Sequence, residues 1–280
     1  MNLFWLPEMA IKSKTELKNC VEHRDQAFFL GIRVNLKTMS ELIDVVADII
    51  KNRQKAVIAN HNLHSLYLFQ REPLLKAFYS RVEWCHIDGM PLVALAWLFG
   101  HKAKRNHRIT YIDWMDPLME RAAGQKWRIF YLGSAPGVAE RGADLLRRKH
   151  ANLQIRTAHG YFSVEPNSEA GSQVIRSIKE YEPQILMVGM GMPRQEFWIQ
   201  QNRKALAVNV ILPCGAAMDY VAGAVPMPPR WVGRAGLEWA FRLLSEPSRL
   251  WQRYLVEPWS LVVPVLREFA KSRFSVSKVS

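Results

Sequence analysis

Short apolar runs alternate with helical patterns along most of this chain. The runs suit strands buried on both faces of a sheet. The helical segments between them include 40–54, which has a capping-box pattern at Thr38 and Glu41 and apolar residues on one face. The alternation predicts an α/β fold with a parallel sheet and helices on both faces. The predicted strands are 27–34, 55–59, 82–87, 127–132, 153–157, 184–188 and 208–212.

The pattern changes at both ends of the chain. Residues 1–26 have weak periodicity and are predicted to form a poorly ordered leader. From about Ala224 the strand pattern stops, and arginines alternate with tryptophans in helical segments. We therefore expect an α/β body over 27–223 and a basic, Trp-rich helical appendage over 224–280.

The net charge of +13 in 280 residues indicates an anionic partner, such as nucleic acid, an anionic membrane or a phosphorylated substrate. No apolar run approaches the ~20 residues that span a bilayer, so any membrane contact is expected to be peripheral. No signal peptide is evident, and the three cysteines are far apart without a CxxC pair. The chain is thus expected to be cytoplasmic with reduced thiols.

A carboxylate stands where one buried strand ends. Asp88 and Gly89 follow the strand 82–87, and an apolar helix begins at Met90. Ligands of open α/β sheets bind beyond the carboxyl ends of the strands, where Asp88 could serve as a general base. The alternative is that Asp88 caps the helix, since Asp is a favoured N-cap. The spacing alone favours the cap.

Other loops after predicted strands carry weaker signals. The segment from Gly133 to Gly137 could bring backbone N–H groups to a phosphate, and Gly191 belongs to an incomplete glycine fingerprint. Arg194 and Gln195 begin a helix and could hold a sugar or a diphosphate. For each segment the alternative is ordinary turn or helix-start chemistry.

Neither a metal site nor another cofactor is expected. The sequence has no Asp-x-Asp, and the pair His61 and His64 could share a helix face but is more often polar packing. The C-terminal arginines and tryptophans fit a solvated face, a single-stranded nucleic-acid site or a membrane surface. Residues Trp239, Arg242 and Leu243 are spaced as on an amphipathic helix, which favours the membrane.

Several separated motifs together resemble the WecG/TagA/CpsF family of bacterial glycosyltransferases, glycosyltransferase family 26. The similarity covers roughly residues 27–255. Its motifs are Asp88-Gly89, Gly191-x-Pro193-x-Gln195-Glu196, Cys214-Gly215-Ala216-Ala217-x-Asp219, Pro229-Arg230-Trp231, and the segment from Gly236 to Arg249.

The resemblance implies a Rossmann-like body and an inverting transfer from a UDP-sugar to a polyprenyl-diphosphate-linked saccharide, without a metal. It places the enzyme at the inner face of the cytoplasmic membrane, with the appendage bringing arginines over the site. It makes Asp88 the base and Gln195 an active-site residue. The donor could be UDP-glucose or a UDP-N-acetylmannosamine type, and the protein could form a homo-oligomer.

Two motifs depart from the family pattern. Asn60 stands where the family has threonine, ahead of Asn62, and Tyr111 replaces a glycine after Arg108 and Thr110. The substrate-binding set expected from all these motifs is Asn60, Asn62, Arg108, Thr110, Gly133, Gly137, Gly191, Arg194, Asp219, Arg230 and Arg234. Arg242, Arg249 and Arg253 are expected to face lipid or the acceptor diphosphate. A nicotinamide-dependent oxidoreductase and a nucleic-acid-binding module remain the alternatives, although no nucleic-acid partner is expected.

Overall fold

The computed structural model describes residues 25–166, 168–229, 232 and 237–276, and only the backbone of 249 and 272–276. The predicted leader lies outside the described residues up to residue 24. Arg230 and Arg234, which were expected to bind substrate, also lie outside the described residues, as does the side chain of Arg249.

A six-stranded parallel sheet forms the centre of the molecule, which confirms the predicted fold class. Its order is β4-β3-β8-β7-β5-β6. The chain leaves β3 toward β4, whereas after β8 it runs to the helix Ala217–Val221, which packs on the helix Val138–Lys149 that follows β5 on the other side. The loops beyond the neighbouring strands β3 and β8 therefore diverge and leave a crevice. The strands are β3 (Ala56–His61), β4 (Trp84–Ile87), β5 (Arg128–Gly133), β6 (Gln154–Ala158), β7 (Ile185–Gly189) and β8 (Val210–Pro213).

Helices connect the strands on both faces of the sheet. Those of the body are α1 (Met39–Lys51), α2 (Leu63–Arg71), α3 (Pro73–Tyr79), α4 (Met90–Leu98), α5 (Tyr111–Gln125), α6 (Val138–Lys149), α7 (Glu169–Tyr181), α8 (Arg194–Asn202) and α9 (Ala217–Val221). A short 3-10 turn, Arg105–His107, precedes α5. Thr38 caps α1 through the predicted capping box with Glu41.

Two apolar clusters pack on opposite faces of the sheet. Successive residues of β5 alternate between them: Ile129 and Tyr131 lie in one cluster, and Phe130 and Leu132 lie in the other. This alternation follows from the two-residue period of a strand, and burial on both faces explains why the runs are continuously apolar.

The prediction of one strand over 27–34 was wrong. The segment forms an antiparallel hairpin of β1 (Gln26–Phe29) and β2 (Ile32–Asn35). The turn residues Leu30 and Gly31 have φ of 51° and 77°, which a two-residue hairpin turn requires. Leucine rarely adopts this conformation. Here it is buried, and its N–H and C=O are bonded by Glu268 (2.7 Å) and Gln70 (2.7 Å).

The C-terminal segment 237–276 is helical. It contains α10 (Glu238–Ser245), α11 (Pro247–Trp251), a π-helical turn (Gln252–Val256) and α12 (Glu257–Val276). Helix α12 packs on α2, and its Glu268 carboxylate reaches the hairpin at Leu30. A second contact joins Glu257 to His64 of α2 at 2.6 Å. The C-terminal segment is therefore docked on the body near the carboxyl ends of β3 and β4.

Candidate active site

A cavity of about 1020 Å³ lies beyond the carboxyl ends of the strands. Its walls come from the loops after all six strands of the parallel sheet and from the C-terminal segment. This is the position where ligands of open α/β sheets bind. Of the residues expected to act on substrate, the cavity walls include Asn60, Asn62, Asp88, Arg108, Thr110, Gly191, Arg194, Gln195, Asp219, Arg242 and Arg253.

Asp88 faces this cavity and does not cap α4. The N-cap of α4 is Gly89, at φ 116° and without a side-chain cap hydrogen bond, so the capping interpretation was wrong. The Asp88 carboxylate instead accepts a hydrogen bond from the Asn60 amide at 3.1 Å. Burial raises the pKa of Asp88, and the charge of Arg242 and a hydrogen bond from Asn62 partly offset this. A carboxylate with a raised pKa is a better general base.

Local hydrogen bonds hold both asparagines beside Asp88. Strand β3 extends two residues beyond its predicted end, so the Asn60 backbone is fixed in the sheet, and its carbonyl accepts from the Tyr79 hydroxyl at 3.0 Å. Asn62 caps α2, accepting from the Ser65 N–H at 2.9 Å. Because Asn62 uses its side-chain oxygen in the cap, its amide group remains to donate to Asp88.

The predicted histidine pair does not share a helix face. His61 ends β3, is buried and stacks on Tyr79 with ring centroids 3.9 Å apart. Burial lowers the pKa of His61 to about 3, so the ring stays neutral at physiological pH. His64 lies on α2 and pairs with Glu257 at 2.6 Å. In the part of the chain that the structure describes, no group of three or more His, Cys, Asp or Glu side chains is placed to hold a metal.

Gln195 is held by hydrogen bonds from both of its polar atoms. Its carbonyl oxygen accepts from the Gly215 N–H at 3.1 Å, and its amide nitrogen donates to Glu196 at 2.8 Å. The side chain is therefore pinned between the start of α8 and the loop after β8. The second hydrogen of the Gln195 amide is left to donate toward a ligand in the cavity.

Glu196 is fully buried beneath Gln195, and its Oε2 has no hydrogen-bond partner among the described residues. Burial raises the pKa of Glu196 from its ordinary 4.5 to about 7, against a lowering by the Gln195 hydrogen bond. Between pH 4.5 and about pH 7 the native state binds more protons than the unfolded chain, so stability falls as pH rises. Over this range the free energy of unfolding falls by about 3 kcal/mol.

Replacing Glu196→Gln should remove this pH dependence, because the amide keeps an acceptor for Gln195 and does not ionise. The melting temperature of Glu196→Gln minus that of wild type should be roughly 6–10 °C larger at pH 8 than at pH 5. Differential scanning calorimetry at both pH values measures the change. The exposed Glu120→Gln on α5 is the matched control. A constant difference between Glu196→Gln and wild type would contradict the buried-carboxyl account.

Two arginines of the C-terminal segment face Asp88. Arg242 lies 5.6 Å from the centroid of the Tyr220 ring, and its Nε has no hydrogen-bond partner among the described residues. The charges of Arg242 and Arg253 both lower the pKa of Asp88, which places them within electrostatic reach of the carboxylate. Both arginines, which were expected to face lipid or the acceptor diphosphate, lie in the cavity wall.

Arg108 and Thr110 line the cavity but are engaged with other side chains. Arg108 donates to both carboxylate oxygens of Glu238, at 3.1 and 3.0 Å, and to Asp113 at 3.0 Å. Thr110 caps α5 and donates to Asp113 at 2.9 Å. The Arg108–Glu238 pair therefore ties the C-terminal segment to the body at the cavity wall.

The glycine-rich segments are divided between packing and cavity wall. Gly133, which was expected to bind substrate, does not line the cavity. A Cβ there would come within 2.3 Å of the Gly189 carbonyl oxygen, so the glycine is needed where β5 and β7 meet. It serves close strand packing. Gly137 caps α6 at φ 78° and is also outside the wall, where Ser134 and Val138 are found instead. Gly191 lies in the wall.

Arg194 and Asp219 both lie in the cavity wall. Arg194 donates to the Phe162 carbonyl, which holds the guanidinium near the loop after β6. The backbone carbonyl of Asp219 accepts from Ala224 N–H at 2.9 Å and from Val225 N–H at 3.2 Å. These bonds fix the end of α9 at the cavity.

Sequence reasoning missed several residues of the site. The pair of His64 and Glu257 lies in the cavity wall, yet its members are 193 positions apart, so no local pattern could connect them. Tyr220, under Arg242, and Glu238, which binds Arg108, were also missed as site residues. Glu238 lies in a motif that had been noted, but its partner is 130 positions away.

None of the helices in the described part of the chain is long and apolar enough to span a bilayer. Several side chains on α12 are apolar and exposed, namely Trp259, Val262, Val263 and Leu266. They are spaced three and four residues apart and therefore form one stripe along the helix.

Comparison with known proteins identifies the family of this chain. The glycosyl transferase WecG/TagA/CpsF family matches residues 27–275. Relatives include proteins of Staphylococcus aureus strains MW2, NCTC 8325 / PS 47 and MRSA252, each named N-acetylglucosaminyldiphosphoundecaprenol N-acetyl-beta-D-mannosaminyltransferase. Each is 24% identical over 233 residues, which cover 79% of this chain and 85% of the relative. Neither the oxidoreductase nor the nucleic-acid alternative is supported. This chain belongs to the WecG/TagA/CpsF family of glycosyltransferases.

Proposed function

We propose that the protein transfers a hexose from a UDP-sugar to a saccharide carried on a polyprenyl diphosphate, with inversion and without a metal. The observation that carries this proposal is the pairing of a cavity carboxylate, Asp88, with Arg242 and Arg253. The carboxylate suits a base for an attacking hydroxyl, and the guanidinium groups suit a departing diphosphate.

In this mechanism Asp88 takes the proton of the acceptor hydroxyl as its oxygen attacks the anomeric carbon. The bond from that carbon to UDP breaks on the opposite side, and an α-linked donor gives a β-linked product. Asn60 and Asn62 orient the Asp88 carboxylate through their amide groups. The raised pKa of Asp88 supports this role because it makes the carboxylate a stronger base.

The departing diphosphate gains negative charge in the transition state. Arg242 and Arg253 would stabilise that charge, because cations already held in the cavity wall need no reorganisation during the reaction. Val138, the first residue of α6, lies in the cavity wall, so the positive end of the α6 dipole would favour the same phosphates. Gln195, with one amide hydrogen left over, would donate to a sugar or phosphate oxygen.

The choice of substrates to test comes from the relatives. Their names specify transfer of N-acetyl-β-D-mannosamine to N-acetylglucosaminyl diphosphoundecaprenol. We take UDP-N-acetylmannosamine and this acceptor as the first pair for this chain, with UDP-glucose as the second donor. A product of this kind would enter a surface or exopolysaccharide polymer.

The proposed acceptor lies in a membrane, and α12 suits contact with the inner face of the cytoplasmic membrane. Its exposed stripe includes Trp259 and Leu266, which are 76% and 61% exposed. Its two acidic residues, Glu257 and Glu268, are bonded to the body, at His64 and Leu30. An apolar stripe without outward acidic charge is typical of peripheral binding to anionic lipid.

The test is UDP release from a panel of UDP-sugars in the presence of EDTA, with a short-chain polyprenyl-diphosphate-N-acetylglucosamine acceptor in detergent. We expect release that depends on the acceptor and occurs with one donor. Release only when a divalent ion is restored would overturn the metal-independent part. The absence of acceptor-dependent release from folded protein, across the panel and with or without the ion, would overturn the proposed reaction.

A further inference from the structure

Helix α4 carries an exposed face without a polar side chain. Its nine residues, MPLVALAWL, are all apolar, although Pro91, Ala94, Trp97 and Leu98 are exposed. Trp97 is 75% exposed and Leu98 is 49% exposed. A surface helix of a globular protein normally turns polar residues to the solvent. An exposed apolar face of this kind indicates a surface that contacts something else.

The charge around this face favours an anionic lipid surface as its occupant. No acidic residue occurs between Met90 and Ile112. The loop that follows α4 exposes Lys102, Lys104 and Arg105. Apolar side chains flanked by cationic ones are suited to the boundary between acyl chains and anionic headgroups.

The position of α4 matches that of α12. Helix α4 begins at the cavity, where Met90 and Pro91 form part of the wall. Beyond its far end, Phe99 stacks on Phe29 of the β1–β2 hairpin with centroids 6.1 Å apart. Helix α12 likewise begins at the cavity, at Glu257 and Pro258, and reaches the same hairpin farther along. The two helices therefore run from the cavity to one hairpin.

We propose that the exposed face of α4, with Lys102, Lys104 and Arg105, is a second membrane-contact surface that belongs to the α/β body. It binds anionic headgroups and the adjoining acyl layer, as α12 does from the C-terminal segment. The inference rests on the proposed function, because a lipid-linked acceptor gives such a surface its purpose. Since α4 follows Asp88 directly, this contact brings the membrane to the side of the cavity that holds the base.

The test is sedimentation of the full chain with phosphatidylglycerol/phosphatidylcholine vesicles. We expect Trp97→Ser/Leu98→Ser to lower vesicle binding about tenfold. We expect Lys102→Gln and Lys104→Gln each to lower it about fivefold, with no effect on pure phosphatidylcholine vesicles. Leu145→Ser, an exposed leucine on α6, is the matched control and should bind as wild type. Trp259→Ser shows the sensitivity of the assay.

Two further measurements separate the possible outcomes. All variants should keep the wild-type melting temperature and the wild-type UDP release with the short-chain acceptor in detergent. If wild type releases no UDP, the proposed reaction is contradicted. The vesicle assay still tests the membrane surface in that event, because binding to vesicles needs no turnover. Unchanged vesicle binding of Trp97→Ser/Leu98→Ser, while Trp259→Ser weakens it, would overturn the inference. The inference would also be overturned if light scattering shows that Trp97→Ser/Leu98→Ser converts a dimer to a monomer while vesicle binding is unchanged. That result would assign the face to a second copy of the chain.

Discussion

Replacing Asp88→Asn should lower kcat by about 10²–10⁴, the usual contribution of a positioned general base. The asparagine keeps the shape of the side chain and can still bond to Asn60, but it cannot take a proton from the acceptor hydroxyl. The fold should be retained, because Asp88 caps no helix. Acceptor-dependent UDP release measures the effect, and the melting temperature verifies the fold.

The matched control is Asp144→Asn, an exposed aspartate on α6 that pairs only with the nearby Arg147 in the described structure. It should leave turnover unchanged. Near-normal turnover of Asp88→Asn would exclude Asp88 as the base. In that event Glu196 would not replace it directly, because Glu196 lies beneath the cavity wall and does not form part of it.

Replacing Arg242→Gln should lower kcat by about 10²–10³, the range found when a donor to developing negative charge is removed. The same substitution should change the pH profile. Arg242 lowers the pKa of Asp88, so its removal raises that pKa. Asp88 acts in its ionised form, and the acid limb of the rate profile should therefore move to higher pH. UDP release measured across pH tests both effects.

The control for this variant is Arg148→Gln, an exposed arginine on α6. It removes the same charge far along the helix from the cavity and should change neither kcat nor the acid limb. A loss of rate in Arg242→Gln without a shift of the limb would separate the two effects and assign Arg242 to the leaving group alone. An unchanged rate would contradict its role in the reaction.

The parallel sheet could be predicted because each of its strands has a local signature. Buried strands such as β5 and β7 are apolar runs between helical patterns. This pattern can be recognised in the sequence without knowing any tertiary contact. The β1–β2 hairpin could not be predicted in the same way. Its turn contains Leu30, whose unusual conformation depends on bonds from Glu268 and Gln70, far away in the sequence.

The candidate site also contains residues with a local sequence signature and residues without one. The sequence predicts three of the site residues, Asp88, Asn62 and Gln195, because each lies just after a strand or at the start of a helix. In a parallel sheet these positions lie together at the carboxyl edge of the strands. The arginines were harder to place. A basic helix predicts contact with anions in general, but only the docked position of α10 brings Arg242 into the same cavity wall as Asp88.

Local sequence is enough to predict the α/β class, the family motifs and the carboxylate at the end of β4, because strand runs and turn residues are short-range patterns. The tertiary structure decided whether Asp88 is a cap or a cavity residue, since Gly89 takes the cap position and Asn60 bonds the carboxylate. It also decided which charges meet. The pairs Arg108–Glu238 and His64–Glu257 join residues 130 and 193 positions apart, and only folding brings such residues within hydrogen-bond distance.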